Sequence, residues 1–293
     1  MDALSDDGAF GLTMIAFVGS VFSPYYASRG RRDPDDHCAL NVALYGPRAA
    51  RWAMTERGRS AVRRDATSYD IARSRLALDG NGLTISVDER TAPFPSPFPQ
   101  PLVGEIRVRF DGLGDGVFFL DDAGRHRWRP LAPFSRVEVD FRDPALKWSG
   151  HGYFDANDGD EPLEDRFAYW DWSRAILGEK RTAILYNCDL KGGLSRSAAL
   201  LVTRNGDVRD FDIPAPRALP PTPVWRIKRR TRADADDARV VRTLEDTPFY
   251  SRSVIESSIF GDTRCAVHES LSGPRLGMRI VKGMLPFRMP REA

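Results

Sequence analysis

Short runs of alternating apolar and polar residues, separated by glycine-rich turns, recur along the chain at intervals of about ten residues. Residues 76–78 and 83–87 are two such runs, and Asp79-Gly-Asn-Gly82 lies between them. Asp-Gly and Asn-Gly supply the positive φ angles that hairpin turns require, so the segment predicts two paired strands. Residues 104–110 and 117–120 predict a second hairpin in the same way. The pattern is typical of an antiparallel β protein.

Further strands are predicted along the rest of the chain, at residues 136–141, 146–153, 182–186, 198–203 and 207–211. Only residues 65–75 and, more weakly, 233–244 have a helical pattern. The predicted fold class is therefore all-β, an antiparallel barrel or sandwich with few short helices. A barrel of about eight strands can enclose one small apolar ligand, so a closed apolar pocket is available.

Composition narrows the class of protein without selecting a partner. The 293 residues are 42% hydrophobic and 29% charged, which excludes disordered and fibrous proteins. The formal net charge is only +2, so we expect no nucleic acid partner. The three cysteines are far apart, which argues against a zinc ribbon or a disulfide framework. The acidic N-terminal segment predicts no export, and no apolar run approaches the roughly 20 residues of a spanning helix.

Motifs for catalytic, cofactor or metal chemistry are incomplete or absent in this sequence. The acidic segment 155–165 resembles a calcium loop, but its Gly and its terminal residue stand at the wrong positions, so a solvated loop is expected. Residues 193–197 lack the closing Gly of a nucleophile elbow. No dinucleotide, P-loop or HExxH motif occurs, and we expect neither cofactor nor metal. The basic run Trp225–Arg232 fits an edge strand or a patch for anionic lipid headgroups, with nucleic acid as the third alternative.

Aromatic, imidazole and carboxyl side chains accumulate in one region of the chain. They are His126, Trp128, Trp148, His151, Tyr153, Asp155, Trp170, Asp171 and Trp172. One interpretation is ordinary core packing. The other is an acid site: burial against rings keeps a carboxyl group protonated, and ring faces stabilise the carbocation that its proton creates. Asp155 and Asp171 both fit the role of the acid.

Spacing groups four of these residues. Tyr153 and Asp155 are two residues apart, as are His126 and Trp128, so each pair shares one face of a strand. Two such pairs on neighbouring strands would place a carboxyl group, a phenol, an imidazole and an indole around one cavity. This set of groups suits acid catalysis on an alkene.

Several longer segments resemble those of bacterial carotenoid 1,2-hydratases, also called hydroxyneurosporene synthases. They are residues 17–27, 37–46, 51–57, 161–164, 170–174, 247–253 and 284–291. The resemblance implies a pair of lipocalin-like β domains. It also implies a hydro-lyase of carotenoid biosynthesis that adds water to the terminal C1–C2 double bond of neurosporene or lycopene, without a cofactor, to give a tertiary alcohol.

The same resemblance implies the site residues. Asp155 matches the proposed acid of the family, and Tyr153, His126 and Trp128 match its assisting groups. Trp148, His151, Trp170, Asp171 and Trp172 are predicted to bind substrate, with Asp171 as the competing acid. After the aspartate, related lipocalin-like proteins often have His-Asn-Trp-Gly where this chain has residues 156–159, so those four positions receive no role.

The predicted domains are residues 1–160 and 161–293, each lipocalin-like, with residues 214–223 as a rival linker. A polyene substrate dissolved in lipid implies peripheral contact with membrane lipid and a cytoplasmic location at the inner or photosynthetic membrane. Two other functions are open at this point. A lipocalin-like pocket could carry carotenoid or lipid without chemistry, and the same acid and rings could serve an isoprenoid alkenol dehydratase or isomerase.

Overall fold

The structure is a computed structural model that describes residues 1–92, 98–178 and 181–292. Most of its regular elements are strands. These are β1 Asp2–Ser5, β2 Gly11–Phe17, β3 Cys38–Tyr45, β4 Arg51–Arg57, β5 Val62–Arg64, β6 Ser68–Ile71, β7 Ser74–Asp79, β8 Gly82–Arg90, β9 Pro101–Phe110, β10 Phe118–Phe119, β11 His126–Asp143, β12 Ala145–Gly159, β13 Phe167–Leu177, β14 Arg181–Leu190, β15 Ser195–Thr203, β16 Val208–Asp210, β17 Pro216–Leu219, β18 Arg229–Arg232, β19 Arg239–Asp246, β20 Tyr250–Ile259, β21 Asp262–Ser272 and β22 Arg291–Glu292.

The helices are short. They are α1 Pro24–Ser28, α2 Leu163–Arg166, α3 Gly273–Leu276 and α4 Arg279–Arg288, with 3-10 turns at Pro34–Asp36 and Arg59–Ala61. Within the described ranges, none is long and apolar enough to cross a membrane.

The first of two compact units comprises residues 1–111, 135–154 and 282–293. Its strands follow the order β22-β4-β3-β2-β1-β12-β11-β9-β8-β7-β6-β5 in one sheet. β22 runs parallel to β4, whereas the other pairs with a defined register are antiparallel. Alternate residues of β8 are buried, and Ile85 lies opposite Ile106 of β9. The period-two pattern thus builds the core of this unit.

The second unit comprises residues 112–134 and 155–281. Its main sheet has the order β16-β15-β14-β13-β21-β20-β19, and β17 pairs with β18 as a separate ribbon. One face of this sheet carries an apolar cluster that includes Leu185, Ile255 and Ala266, and Leu219 of the ribbon packs into it. The ribbon therefore covers part of that face.

The predicted all-β class with few short helices is confirmed. The first predicted hairpin is present as β7 and β8, with Gly80 at φ +56° in the turn. Both predicted helices are wrong. Residues 65–75 contain β6 and the start of β7, joined through Ala72 at φ +52°. Residues 239–246 form β19, where β-branched Val240 and Val241 favour a strand.

Candidate functional site

Two long strands carry the four residues that spacing groups together. His126 and Trp128 begin β11, and Tyr153 and Asp155 lie near the end of β12. Both strands continue without interruption through these positions, so the members of each pair share a strand face. His126 and Trp128 are buried, whereas Asp155 is half-buried.

Trp128 and Asp155 are in direct contact within the second unit. The indole Nε1–H of Trp128 donates a hydrogen bond to Asp155 Oδ2 over 3.1 Å. The side-chain amide of Asn157 donates to the same oxygen over 3.4 Å. The indole has a single N–H donor, and this donor is directed at the carboxyl group. The hydrogen bond therefore holds the carboxyl group at the edge of the Trp128 ring.

Aromatic rings surround Trp128. The ring centroids of Phe118 and Tyr186 lie 5.3 Å and 5.1 Å from that of Trp128. Trp170 approaches Tyr186 edge-on at 6.5 Å. These distances are those of favourable aromatic pairs, and the negative faces of such rings attract a cation. The carboxyl group of Asp155 is therefore hydrogen-bonded to a member of an aromatic cluster, and its role as an acid stays a prediction.

Tyr186 of β14 is a member of the ring cluster that the sequence does not identify. It is buried and opposes Trp172 across the β13–β14 pair. Burial raises the pKa of Tyr186 well above its usual value, and the charge of Asp155 contributes to the rise. The phenol is therefore neutral. Tyr186 belongs to an apolar run that predicts only a strand, and no local motif marks it.

His126 is enclosed by an aromatic ring and a carboxylate. Its ring centroid lies 4.7 Å from that of Phe167, and its Nε2 is 3.7 Å from Glu161 Oε1. Nε2 is buried and has no hydrogen-bond partner among the described residues. Burial lowers the pKa of His126, although Asp121 and Glu161 oppose this shift. The imidazole is therefore predominantly neutral near pH 7.

The acidic segment 155–165 pairs with arginines. Asp158 accepts from Arg127, whose guanidinium also pairs with Asp160 at 2.8 Å. The expectation of a solvated loop is wrong for residues 155–159, because these continue β12 beside the basic start of β11. In the described ranges, no three His, Cys, Asp or Glu side chains are grouped so as to hold a metal ion.

Asp171 lies on the opposite face of β13 from Trp170 and Trp172. Asp171 opposes Asn187 of β14, whereas Trp172 opposes Tyr186. Successive residues of a strand point to opposite faces, so Asp171 points away from the ring cluster. Trp170 joins that cluster through Tyr186, and Trp172 is buried on the same strand face.

Both carboxylate oxygens of Asp171 have donors. Oδ1 accepts from Asn187 Nδ2 over 2.7 Å, and Oδ2 accepts from Arg230 Nε over 2.7 Å. Arg230 also pairs with Asp189 at 2.7 Å. Burial nevertheless raises the pKa of Asp171 to about 6, against the lowering effect of Arg230 and Asn187.

The basic run Trp225–Arg232 ends in strand β18, whose arginines bond to other residues of the second unit. Arg229 is buried and donates to Thr243 and Ser253 over 2.9 Å. Arg232 donates to Ser197 over 3.0 Å. These contacts favour the edge-strand interpretation of the run over a lipid-headgroup patch.

Three of the predicted residues belong to the first unit. Tyr153 is buried and opposes Asp2 of β1, and His151 is half-buried opposite Leu4. Trp148 is half-buried, and its indole Nε1 has no hydrogen-bond partner among the described residues. The substrate contacts predicted for Trp148 and His151 stay predictions.

Comparison with known proteins gives a consistent result. The family model "Carotenoid hydratase CrtC" matches residues 14–293. Proteins named acyclic carotenoid 1,2-hydratase are similar over nearly the whole chain. That of Thiocapsa roseopersicina is 54% identical over 99% of this chain and 72% of its own length. Those of Rubrivivax gelatinosus and Cereibacter sphaeroides are 47% and 39% identical over 100% and 95% of this chain, and over 72% and 98% of their own lengths.

A solved structure shares the fold. The crystal structure of an AttH-like protein from Nitrosomonas europaea matches with a TM-score of 0.58 over 93% of this chain and 90% of that one. The sequence identity is 13%, so this likeness concerns the fold alone. It agrees with the predicted lipocalin-like class.

Proposed function

The chain belongs to the carotenoid hydratase family CrtC, and from this we propose how its own residues carry out the hydration. The protein is an acyclic carotenoid 1,2-hydratase, a hydro-lyase that adds water to the terminal C1–C2 double bond of carotenoids such as neurosporene and lycopene. In our proposal Asp155 is the proton donor. The observation that carries it is the hydrogen bond of Asp155 to Trp128 inside the ring cluster.

The reaction begins with proton transfer to C2. In our proposal the carboxyl group of Asp155, held beside the ring cluster by its hydrogen bonds to Trp128 and Asn157, supplies this proton. The π electrons of the double bond form the new C2–H bond, and the positive charge develops on C1. This is the favoured direction because C1 then becomes a tertiary carbocation, which is more stable than a secondary one.

Ring faces stabilise the cation in this scheme. Trp128, Tyr186 and Trp170 present a cluster of rings beside Asp155, and such faces attract a positive charge at no cost in reorganisation. Water then adds its oxygen to C1 and returns one proton to the Asp155 carboxylate. The product is a tertiary alcohol, and the acid is restored for the next turnover.

We assign supporting roles to Tyr153 and His126. Tyr153 precedes Asp155 by two residues on β12 and shares its strand face, which suits a phenol that orients the acid and assists the water. His126 is predominantly neutral and buried, which suits a group that binds water or modulates the acid.

The geometry favours Asp155 over Asp171. Asp171 faces away from the rings, and its two oxygens accept from Asn187 and Arg230. A carboxylate held in this way by a guanidinium has the environment of a structural ion pair. A pair of matched variants, one at each aspartate, can therefore test which carboxyl group is the acid.

The test is hydration of lycopene in detergent, in water enriched with heavy oxygen and without added cofactor, followed by mass analysis. We expect a labelled alcohol from the unaltered chain and a loss of about a hundredfold or more with Asp155→Asn. The matched variant Asp171→Asn is expected to retain activity within about tenfold. If Asp155→Asn keeps full activity, and Asp171→Asn loses activity while its circular dichroism spectrum is unaltered, Asp171 would be the acid.

We also propose peripheral contact of the protein with membrane lipid, on the cytoplasmic side of the inner or photosynthetic membrane. An acyclic carotenoid is a hydrocarbon polyene that dissolves in lipid and not in water. An enzyme acting on it gains by binding where the substrate is concentrated.

A further inference from the structure

Helix α4 presents an exposed apolar stripe. Ile280 is 74% exposed, Met284 38% and Phe287 68%. Their spacing of four and three residues places all three on one side of an α-helix. Large apolar side chains grouped on one exposed surface, rather than scattered singly, mark an interaction site.

The other side of α4 attaches the helix to the protein. Val281 is buried and Leu285 is half-buried. Met289, directly after the helix, is also buried. The stripe of Ile280, Met284 and Phe287 therefore points outward from a helix that is already anchored.

The sequence around this helix is rich in cationic residues, and one of them, Arg291, pairs with Asp36 and the buried Glu56. Between Ser270 and Arg291 the sequence contains no Asp or Glu. It contains five cationic residues, which are Arg275, Arg279, Lys282, Arg288 and Arg291. The whole chain has a formal net charge of only +2, so this segment is a local concentration of positive charge. Arg279, beside Ile280, is exposed.

We infer that α4 is the surface with which the protein binds an anionic lipid bilayer, an inference that rests on the lipid contact proposed above. The three apolar side chains enter the boundary of the acyl chains while the exposed Arg279 pairs with a lipid phosphate. Each cation near an anionic membrane contributes attraction, and the apolar stripe adds the hydrophobic part.

Charge complementarity distinguishes the bilayer from a second copy of the chain. A symmetric contact between two α4 helices would bring two cationic segments together, and like charges across an interface oppose association. An anionic lipid surface neutralises the same charges. The combination of an apolar stripe and an adjacent exposed cation is characteristic of helices that lie in the membrane interface.

The experiment measures sedimentation with vesicles of phosphatidylcholine, with and without phosphatidylglycerol. For the double variant Ile280→Ser/Phe287→Ser we expect binding to vesicles with phosphatidylglycerol to fall about tenfold or more, since two apolar side chains are lost from the interface. The matched control is Leu194→Ser/Val224→Ser, which removes two apolar side chains that are 58% and 74% exposed elsewhere. We expect the control to bind as the unaltered chain does.

Charge is tested separately with Arg279→Gln. We expect about a fivefold loss of binding to vesicles containing phosphatidylglycerol and little change with phosphatidylcholine alone. Equal binding of the Ile280→Ser/Phe287→Ser variant and the unaltered chain would overturn the inference. So would a change of oligomeric state in that variant with vesicle binding unaltered, because α4 would then be an interface between copies.

Hydration of lycopene in detergent separates this inference from the proposed function. Both double variants are expected to hydrate detergent-dissolved lycopene at the rate of the unaltered chain, while Ile280→Ser/Phe287→Ser is slowed on lycopene held in vesicles. Loss of hydration by the unaltered chain in detergent would count against the proposed chemistry. Loss of vesicle binding with hydration in detergent intact supports the docking role of α4.

Discussion

Asp155 and Asp171 are carboxyl groups of the same unit in different surroundings. Asp155 accepts from an indole and an amide, which are neutral donors. Asp171 accepts from the guanidinium of Arg230 and is buried, being only 2% exposed. The two carboxyl groups therefore differ in position: Asp155 is hydrogen-bonded to a member of the ring cluster, whereas Asp171 belongs to an ion pair on the strand face away from that cluster.

The raised pKa of Asp171 predicts a pH effect on stability. The native value of about 6 exceeds the ordinary 3.8, so the native state binds this proton more tightly than the unfolded state does. The resulting stabilisation is complete below pH 3.8 and is lost as the pH rises through about 6. For this buried group the loss amounts to about 3 kcal/mol.

The measurement is urea unfolding of the unaltered chain and of Asp171→Asn, from about pH 4 to about pH 7. We expect the free energy of unfolding of the unaltered chain, relative to the variant, to decrease across this range. His126 and His268 titrate in both proteins, so their contributions largely cancel in the difference. A difference that is constant or increases with pH would contradict the prediction.

Among the strands, the sequence correctly predicts a connection where the residues of the turn themselves require its backbone geometry. Asp79-Gly-Asn-Gly82 predicts the β7–β8 turn because positive φ is required there. The helix predicted over residues 65–75 is wrong because the polar residues of this segment favour turns as well as helix ends. The Asp65 carboxylate accepts from the backbone N–H groups of Thr67 and Ser68 and closes a turn rather than beginning a helix.

The sequence predicts only part of the candidate site, because spacing relates residues within one strand and not residues of different strands. His126 with Trp128, and Tyr153 with Asp155, are pairs within single strands, so spacing alone relates them. Tyr186 lies on β14, far along the chain, and its ring contacts that of Trp128 through tertiary packing that no local pattern encodes. The outward direction of Asp171 likewise follows from the register of β13 against β14.

The close approach of two strands gives a further prediction. A Cβ atom on Gly159, at the end of β12, would lie 2.7 Å from His126 Nδ1. Gly159→Ala is expected to displace the imidazole, to reduce kcat about tenfold and to cost about 1–3 kcal/mol of stability. Activity in detergent and urea unfolding measure the two effects.

Gly283→Ala is the control for Gly159→Ala. Nothing lies within 4 Å of a Cβ at Gly283, which is inside α4. We expect it to stabilise the protein by about 0.5–1 kcal/mol, because Ala favours a helix, and to leave hydration in detergent unchanged. Normal activity of Gly159→Ala would mean that the position of His126 does not matter to the reaction.

The two compact units interleave along the chain, since the first unit takes residues from both ends and the middle. The division into residues 1–160 and 161–293 stays a prediction. In the first unit, β22 pairs with β4, so residues more than 200 positions apart form one strand pair. A fragment of residues 1–160 lacks β22 and offers a direct test of the division.

Arg291 of β22 provides the last prediction. Its guanidinium pairs with the buried Glu56, lies 3.1 Å from His37 Nδ1 and donates to the Asp36 carbonyl over 2.8 Å. Arg291→Met would leave a fully buried carboxylate without its cation, and we expect a loss of about 3–5 kcal/mol in urea unfolding. The control Glu292→Gln affects an exposed partner of Arg57 and should cost less than about 1 kcal/mol. If Arg291→Met and the fragment 1–160 both keep the stability of the unaltered chain, the strand β22 is dispensable and the division at residue 160 gains support.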